Sequence, residues 1–458
     1  MVADFPVQPE EFDMTDTTDT SALFGTGQFF QKGNYAPVAD ELTAFDLPVE
    51  GQIPQDLDGW YLRNGPNPRQ PTEHWFTGDG MIHGVRIEGG RAAWYRNRWV
   101  RTESFENHFG VYNADGTRNL HSSVANTHVV NHAGKTLALV ESSLPYEISN
   151  DLETIGAYDF GGRLVDSMTA HPKICPTTGE LHFFGYGNLF EPHVTYHRAD
   201  ADGQLTVNRP IDVKALTMMH DFAMTSGHVV FMDLPIVFNM DIALKGEGDM
   251  PYRWDDDYGA RLGVLRRDDP FGEIRWFDID PCYVFHVVNA YDDGDTLVVQ
   301  AVRYPELWRG TGGFETDGVL WSWTVNLVTG AVREGQLDDR AVEFPRIDDR
   351  LAGLPARYAV SVGDHRLVRY DLTTGAATEH VFGTADAPGG PGEAVFVPAS
   401  SGPADETNGW YLAYVYDPGR DGSDLVILDA ADIAAPPVAK IALPQRVPYG
   451  FHGNWIEG

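Results

Sequence analysis

Cysteine is nearly missing from this chain: Cys175 and Cys282 are the only two in 458 residues. That is too few for a disulfide framework, and their spacing fits no zinc motif, so a reducing, cytoplasmic setting is expected. Lysine is scarce too, supplying six of 33 basic side chains against 67 acidic ones, for a formal net charge of −34. Such a chain repels phosphate backbones, which argues against nucleic acid as a partner. The acidic excess reads as a solvated surface that keeps the protein soluble. Long hydrophobic runs are absent: the most apolar stretch, residues 229–240, is short for a bilayer and is interrupted by Asp233 and Pro235. The first 24 residues contain no apolar segment of the kind a signal peptide needs.

Helical periodicity is also hard to find, and 48 Gly with 29 Pro would interrupt most helices. What is present is regular punctuation. Turn signals such as Glu88-Gly89-Gly90, Ala133-Gly134, Asp202-Gly203, Asp293-Gly294, Thr329-Gly330 and Thr374-Gly375 separate short β-branched or aromatic runs. The reading is all-β. Hairpins repeating every few tens of residues, with no linker of domain-boundary composition, favour one β-propeller over a string of sandwiches, and the pattern alone allows six to eight blades. Residues 1–33, polar and rich in Thr, Asp and Glu, are expected to be a loosely ordered lead-in, with a single domain over 34–458.

Sixteen histidines are available, and a lone histidine in an apolar strand is usually an ordinary core residue. Four stand out by context: His171 in Ala170-His171-Pro172-Lys173, His220 in Met219-His220-Asp221-Phe222, His286 in Phe285-His286-Val287-Val288, and His452 in Phe451-His452-Gly453-Asn454. They are separated by 49, 66 and 166 residues, a spacing no local metal motif uses. Ligands so far apart make sense only where strands converge, as they do on a propeller axis. Neutral imidazoles suit iron, zinc or copper. Two rival readings remain at this point. One is a metal-free propeller that binds a ligand; the other is a hydrolase of the lactonase type, which would hold Ca2+ through carboxylates and Asn rather than imidazoles. No GxSxG elbow, HExxH, P-loop or GxGxxG signature points to another enzyme class.

The motifs around these histidines extend the case. Residues 57–68 (Leu57-Asp58-Gly59-Trp60 through Pro68), 74–84 (His74-Trp75-Phe76 through Gly84), 170–173, 220–222, 285–290, 343–347 (Glu343-Phe344-Pro345-Arg346-Ile347) and 449–455 occur in one order. In that order they resemble the carotenoid cleavage oxygenase family from about residue 34 to the end. The resemblance implies a seven-bladed propeller with Fe(II) on its axis, held by His171, His220, His286 and His452, with active-site loops capping one face. It also implies that Glu141, Glu343 and Glu393 hydrogen-bond three of the imidazoles. A carboxylate behind an imidazole would fix its tautomer and offset the charge of the metal. The implied reaction inserts O2 across a C=C bond of a lipophilic alkene to give two carbonyl products.

Which alkene is less direct. Stilbene-cleaving members carry a tyrosine and a lysine that bind the 4-hydroxyl of the substrate. By resemblance the tyrosine falls on Tyr112, but the lysine position falls on Val140, and loss of that cation removes the group best suited to a phenolate. The expectation is therefore an apocarotenoid or carotenoid, with a stilbenoid or phenylpropenoid as the alternative. Phe105, Phe109, Tyr112, Val140 and Phe285 are candidates for the substrate path, where aromatic faces would pack on a polyene; plain core positions are the alternative for each. Residues 232–240 are a candidate apolar patch for weak peripheral membrane contact, against the alternative of burial in a blade. The chain is expected to act as a monomer.

Overall fold

The computed structural model describes residue 30 and residues 32–458, except 71, 73, 108, 246–249, 311–313 and 403–404. The lead-in expected over residues 1–33 therefore falls, but for 30, 32 and 33, outside the described residues.

Seven antiparallel sheets succeed one another as the blades of a propeller. Five are four-stranded meanders whose first strands are His128–His132, Lys173–Ile174, Ala223–Met224, Val287–Asp293 and Glu343–Arg346. They form the second to sixth blades. The first blade is assembled from both parts of the chain: Thr43–Phe45, Gly59–Pro66, Gly80–Glu88 and Arg91–Trp99 are completed by Gly453–Glu457, paired from Gly59↔Glu457 to Arg63↔Gly453. The seventh, built on Gly409–Asp417, Gly422–Asp429 and Ala439–Ala442, takes Val49–Gly51 as its outer strand, with Val49 opposite Ile441. The ring is thus closed by two exchanges of strand, and neither of these blades is complete without residues from the far side of the sequence.

Blade position explains the strand composition. A central strand is covered on both faces by neighbouring blades, and Leu181–Tyr186 is buried at every residue. An outer strand has one wet face, and Leu205–Ile211 largely alternates buried with exposed. Between blades the packing is aromatic: Tyr196 of the third meets Phe231 of the fourth edge-on at 5.7 Å, both fully buried. Each such side chain contributes ~1.5–3 kcal/mol by leaving water. The hairpin at Ala133-Gly134 has positive φ at both residues, +50° and +74°, the twist that two-residue turns between antiparallel strands prefer.

The run over 232–240 divides. Met232, Leu234 and Ile236 are core residues of the fourth blade and its edge, which removes them from any surface patch. Beyond them the short helix Met240–Lys245 leaves Met240 50% and Leu244 77% exposed. Among the described residues no helix is long and apolar enough to cross a membrane.

Several histidines are buried as neutral rings in the blades. His83 meets the Tyr95 hydroxyl through Nδ1 at 2.8 Å, His182 meets Tyr196 likewise at 2.7 Å, and His197 stacks on Phe183. Burial pushes His83 well below the usual imidazole range and His182 and His197 down to about 4. Lowered folded-state values mean that the unfolded chain binds more protons, so stability is lost as pH falls below ~6.5, the unfolded value, and the loss levels off near the folded values. At pH 5 each such ring costs about 2 kcal/mol, while most carboxylates have yet to titrate. The thermal unfolding midpoint, followed by circular dichroism, should therefore drop between pH 7.5 and pH 5; a rise would contradict this account.

Candidate metal centre

Four blades deliver a histidine to the axis at the same structural point, just ahead of the blade's first strand. His171 precedes Lys173–Ile174, His220 precedes Ala223–Met224, His286 precedes Val287–Asp293 and His452 precedes Gly453–Glu457. Backbone contacts fix each approach. The His452 N–H donates to the Thr127 carbonyl at 3.0 Å, and its own carbonyl accepts from Asn64 N–H at 3.0 Å. Close by, Gly65 and Gly450 meet backbone to backbone: a Cβ on Gly65 would lie 2.7 Å from the Gly450 Cα, so a side chain there would push the His452 segment away. Asp221, next to His220, is buried and ties three blades together. It accepts from Phe222 N–H at 2.7 Å in its own blade, from Lys173 Nζ at 2.8 Å in the third, and from Val287 N–H at 2.8 Å in the fifth.

The four rings meet. Centroid separations are 4.5 Å for His171 with His220, 4.5 Å for His171 with His452, 4.7 Å for His286 with His452 and 5.0 Å for His171 with His286. One nitrogen from each of His171, His286 and His452 lies within 4.8 Å of the others, and His220 Nε2 is 2.9 Å from His171 Nε2.

Behind these rings stand the three glutamates that the sequence singles out. Glu393 Oε1 is 2.9 Å from His452 Nδ1, Glu343 Oε2 is in close contact with His286 Nδ1, and Glu141 Oε2 is 2.8 Å from His220 Nδ1 in an oblique approach. A carboxylate accepts, so where the hydrogen bond is made, at His452 and His286, the facing nitrogen carries the proton. Nε2 of His286 and His452 is then a bare lone pair, and both belong to the cluster of ring nitrogens at the axis. His286 Nε2 has no hydrogen-bond partner among the described residues. Converging bare nitrogens in a shielded place repel unless a cation sits among them, and an all-imidazole donor set fits a divalent transition metal. Burial and mutual repulsion hold His171 and His452 well below the ordinary imidazole value. Burial acts the same way on His286, but Glu343, together with Asp221 and Glu393, outweighs it and the net shift is upward.

The glutamates have their own supports. The Tyr304 hydroxyl donates to Glu343 Oε1 at 2.9 Å, and Arg346 Nη1 donates to Glu393 Oε2 at 3.1 Å. Glu343 starts the sixth blade at a β-bulge, where the ladder shifts register between Glu343 and Arg346 and Phe344 sits at φ +52°. Bulges re-aim side chains. Here the bulge turns the carboxylate to His286 and lays the Phe344 ring on the same imidazole, centroids 5.2 Å apart. Phe344 and Tyr304 escaped the sequence reading, although Phe344 lies inside the Glu343-Phe344-Pro345-Arg346 motif.

The aromatic candidates separate. Phe285 stands edge-on to His220 at 5.2 Å and stacks on Phe314 at 5.7 Å. Val140 is buried beside Glu141. The Tyr112 hydroxyl donates to the Gly187 carbonyl at 2.9 Å, with Arg118 over the ring at 5.0 Å. Phe105 is buried with Arg69 at 3.5 Å and Arg101 at 5.2 Å from its ring centre, and Phe109 is 41% exposed; neither ring touches the histidines. A cleft of about 640 Å³ opens elsewhere, lined by Glu180, Arg198, His228, Arg266, Arg267 and Asp268. It shares no residue with the histidine cluster, and its cations are already paired with its carboxylates.

Comparison with known proteins agrees with this geometry. A family model described as retinal pigment epithelial membrane protein matches residues 35–457. A carotenoid cleavage oxygenase of Mycobacterium tuberculosis is 39% identical, over 93% of this chain and 97% of its own length. The chain belongs to the carotenoid cleavage oxygenase family. This member of the family is an enzyme, an oxygenase on the family's propeller. Among solved structures, a lignostilbene dioxygenase of Pseudomonas brassicacearum is 27% identical with a TM-score of 0.85, covering 93% of this chain and 98% of that one. A cobalt-substituted apocarotenoid oxygenase of Synechocystis is 27% identical with a TM-score of 0.81, covering 92% and 97%.

Replacing Glu343 by Gln takes the carboxylate from His286 while keeping the shape. Loss of such a partner typically weakens metal retention by about 10 to 100-fold. Chelator competition after loading with Co(II) should show this; retention equal to that of the parental protein would remove Glu343 from that role.

Proposed function

We propose that this carotenoid cleavage oxygenase is a non-haem Fe(II) dioxygenase that uses O2 to split a C=C bond of an apocarotenoid or carotenoid into two carbonyl products. The observation that carries the reading is the convergence of four imidazoles with carboxylates behind three of them, two of which leave Nε2 bare on His286 and His452. His171, His220, His286 and His452 would hold the ion, and Glu141, Glu343 and Glu393 would keep the Nδ1 protons in place so that each Nε2 stays available. Four neutral imidazoles would hold the ion without adding charge, and iron bound there would supply redox activation of O2.

The protein's own contribution is position and dryness. Phe285, with Phe314 stacked behind it, offers a flat apolar wall against His220. Phe344 covers His286 from the other side and lies 5.4 Å from His452. A polyene packed against such faces is held by dispersion and by exclusion of water, with no need for the metal to grip it. Of the five side chains expected along the substrate path, Phe285 and Val140 fit this role best.

The choice of a polyene rests on two residues. Val140 puts an aliphatic side chain where a cation would be needed for a phenolate, and the Tyr112 hydroxyl already donates its proton to Gly187. The similarity to a lignostilbene dioxygenase keeps a hydroxylated stilbene or phenylpropenoid as the second reading. Weak membrane contact, if the enzyme collects its substrate from a bilayer, would fall on Met240 and Leu244.

Anaerobic reconstitution with Fe(II), followed by O2 and an apocarotenal, a 4-hydroxystilbene or isoeugenol, tests the substrate. Two carbonyl fragments from the apocarotenal are expected; cleavage of the hydroxystilbene alone would overturn the choice. His220→Ala and His286→Ala should lose iron and turnover together, and full activity in either would strike that residue from the metal shell. In liposome flotation a small bound fraction should disappear in Leu244→Asp, whereas a wholly unbound parental protein would dismiss the membrane contact.

A further inference from the structure

Three of the four axial imidazoles have a glutamate behind them. His171 is different: among the described residues no carboxylate pairs with it, yet its ring, like that of His286, meets all three others. Something else must fix its direction, since a ligand free to rotate would not hold its place in the cluster.

The backbone on either side of His171 is clamped instead. Its own N–H donates to Thr169 Oγ1 at 3.1 Å, and that hydroxyl donates onward to the His220 carbonyl at 3.2 Å. The preceding carbonyl, that of Ala170, lies 2.8 Å from Nδ1 of a fifth histidine, His128. His128 is the opening residue of the second blade. Its ring is 5.1 Å from that of His452 and 6.2 Å from that of His171. It makes no ring contact with His220 or His286, so it stands beside the cluster and not within it.

The chemistry of that contact is one-directional. A carbonyl only accepts, so the proton of the His128 ring must sit on Nδ1. Nε2 is then a bare nitrogen, shielded from solvent and without a partner among the described residues. Burying an unpaired polar atom is unfavourable, and it persists where the rest of the ring is needed.

We propose that His128 is the positioning residue for His171: through Nδ1–H it holds the Ala170–His171 peptide as the glutamates hold the other three rings. The inference rests on the metal reading above. It gives each of the four proposed ligands a dedicated anchor, three by side chain and one by main chain. It also explains why the second blade, which sends no ligand to the axis, begins with an imidazole there.

Asparagine and alanine separate this role from simple packing. Asn placed at 128 presents an amide N–H near the position of Nδ1 and can still donate to Ala170, whereas Ala cannot. The probe is Co(II) added anaerobically to the full-length protein, read by its visible d–d absorption and by competition with a chelator, with apo-protein unfolding measured alongside. His128→Ala should lose about 10-fold in cobalt retention, the low end for loss of an outer partner, with an altered spectrum. His128→Asn should stay within about 3-fold of the parental protein and keep its spectrum, a difference of less than about 1 kcal/mol.

Parental retention and spectrum in His128→Ala would overturn the proposal. So would a His128→Asn variant that is folded and as impaired as the alanine form, because the donated hydrogen bond would then not be what matters. If His128→Ala does not fold, the asparagine comparison still decides. A parental protein that takes up no cobalt at all would overturn the metal reading itself, a result distinct from either of these.

Discussion

A proton kept on the far side of an imidazole is the interaction on which this site depends. Glu393 and Glu343, each buried, face Nδ1 of His452 and His286, and Glu141 faces Nδ1 of His220. Were those protons to move to Nε2, the axis would be lined with donors that a cation would shun. The carboxylates therefore do more than orient rings: they decide the sign of the electrostatics at the centre of the molecule. Their own placement is in turn secured by Tyr304 and Arg346, so the polar network runs outward from the axis into two adjacent blades.

That network would be unstable in a softer scaffold. Each histidine occupies the short approach to the first strand of its blade, where ladder hydrogen bonds begin and the backbone has little freedom. The bulge at Glu343–Arg346 bends the ladder beside the site, with Phe344 at a φ that a bulky residue rarely adopts. Strain of this kind, of order 1–3 kcal/mol, is sustained by the contacts around it, here the Phe344 N–H on Glu343 and the ring on His286.

The four histidines and three glutamates that converge on the axis could be singled out in the sequence through the family resemblance of the ordered phrases around them. The all-β class was legible from turn chemistry and from the lack of helical periodicity. Blade number was legible only through the family resemblance, since individual blades share no countable repeat and the first is assembled from segments nearly four hundred residues apart, Arg63 pairing with Gly453. His128 was hidden in Thr127-His128-Val129-Val130, which reads as an ordinary strand. Only the folded chain shows that its ring reaches Ala170. Residues 232–240 looked like one apolar run, but the strand Ile236–Phe238 ends before a short helix on which Met240 is exposed. Phe105 looked like a substrate contact by its aromatic character, while two arginines cover its ring.

The C-terminal strand has a further meaning for the life of the polypeptide. Gly453–Glu457 is the inner strand of the first blade, and the residue immediately before it is the last of the four histidines. During synthesis the segment around His452 thus completes the first blade and the histidine cluster in a single event. A ribosome that stops before residue 452 releases something without a sealed ring and without the fourth imidazole.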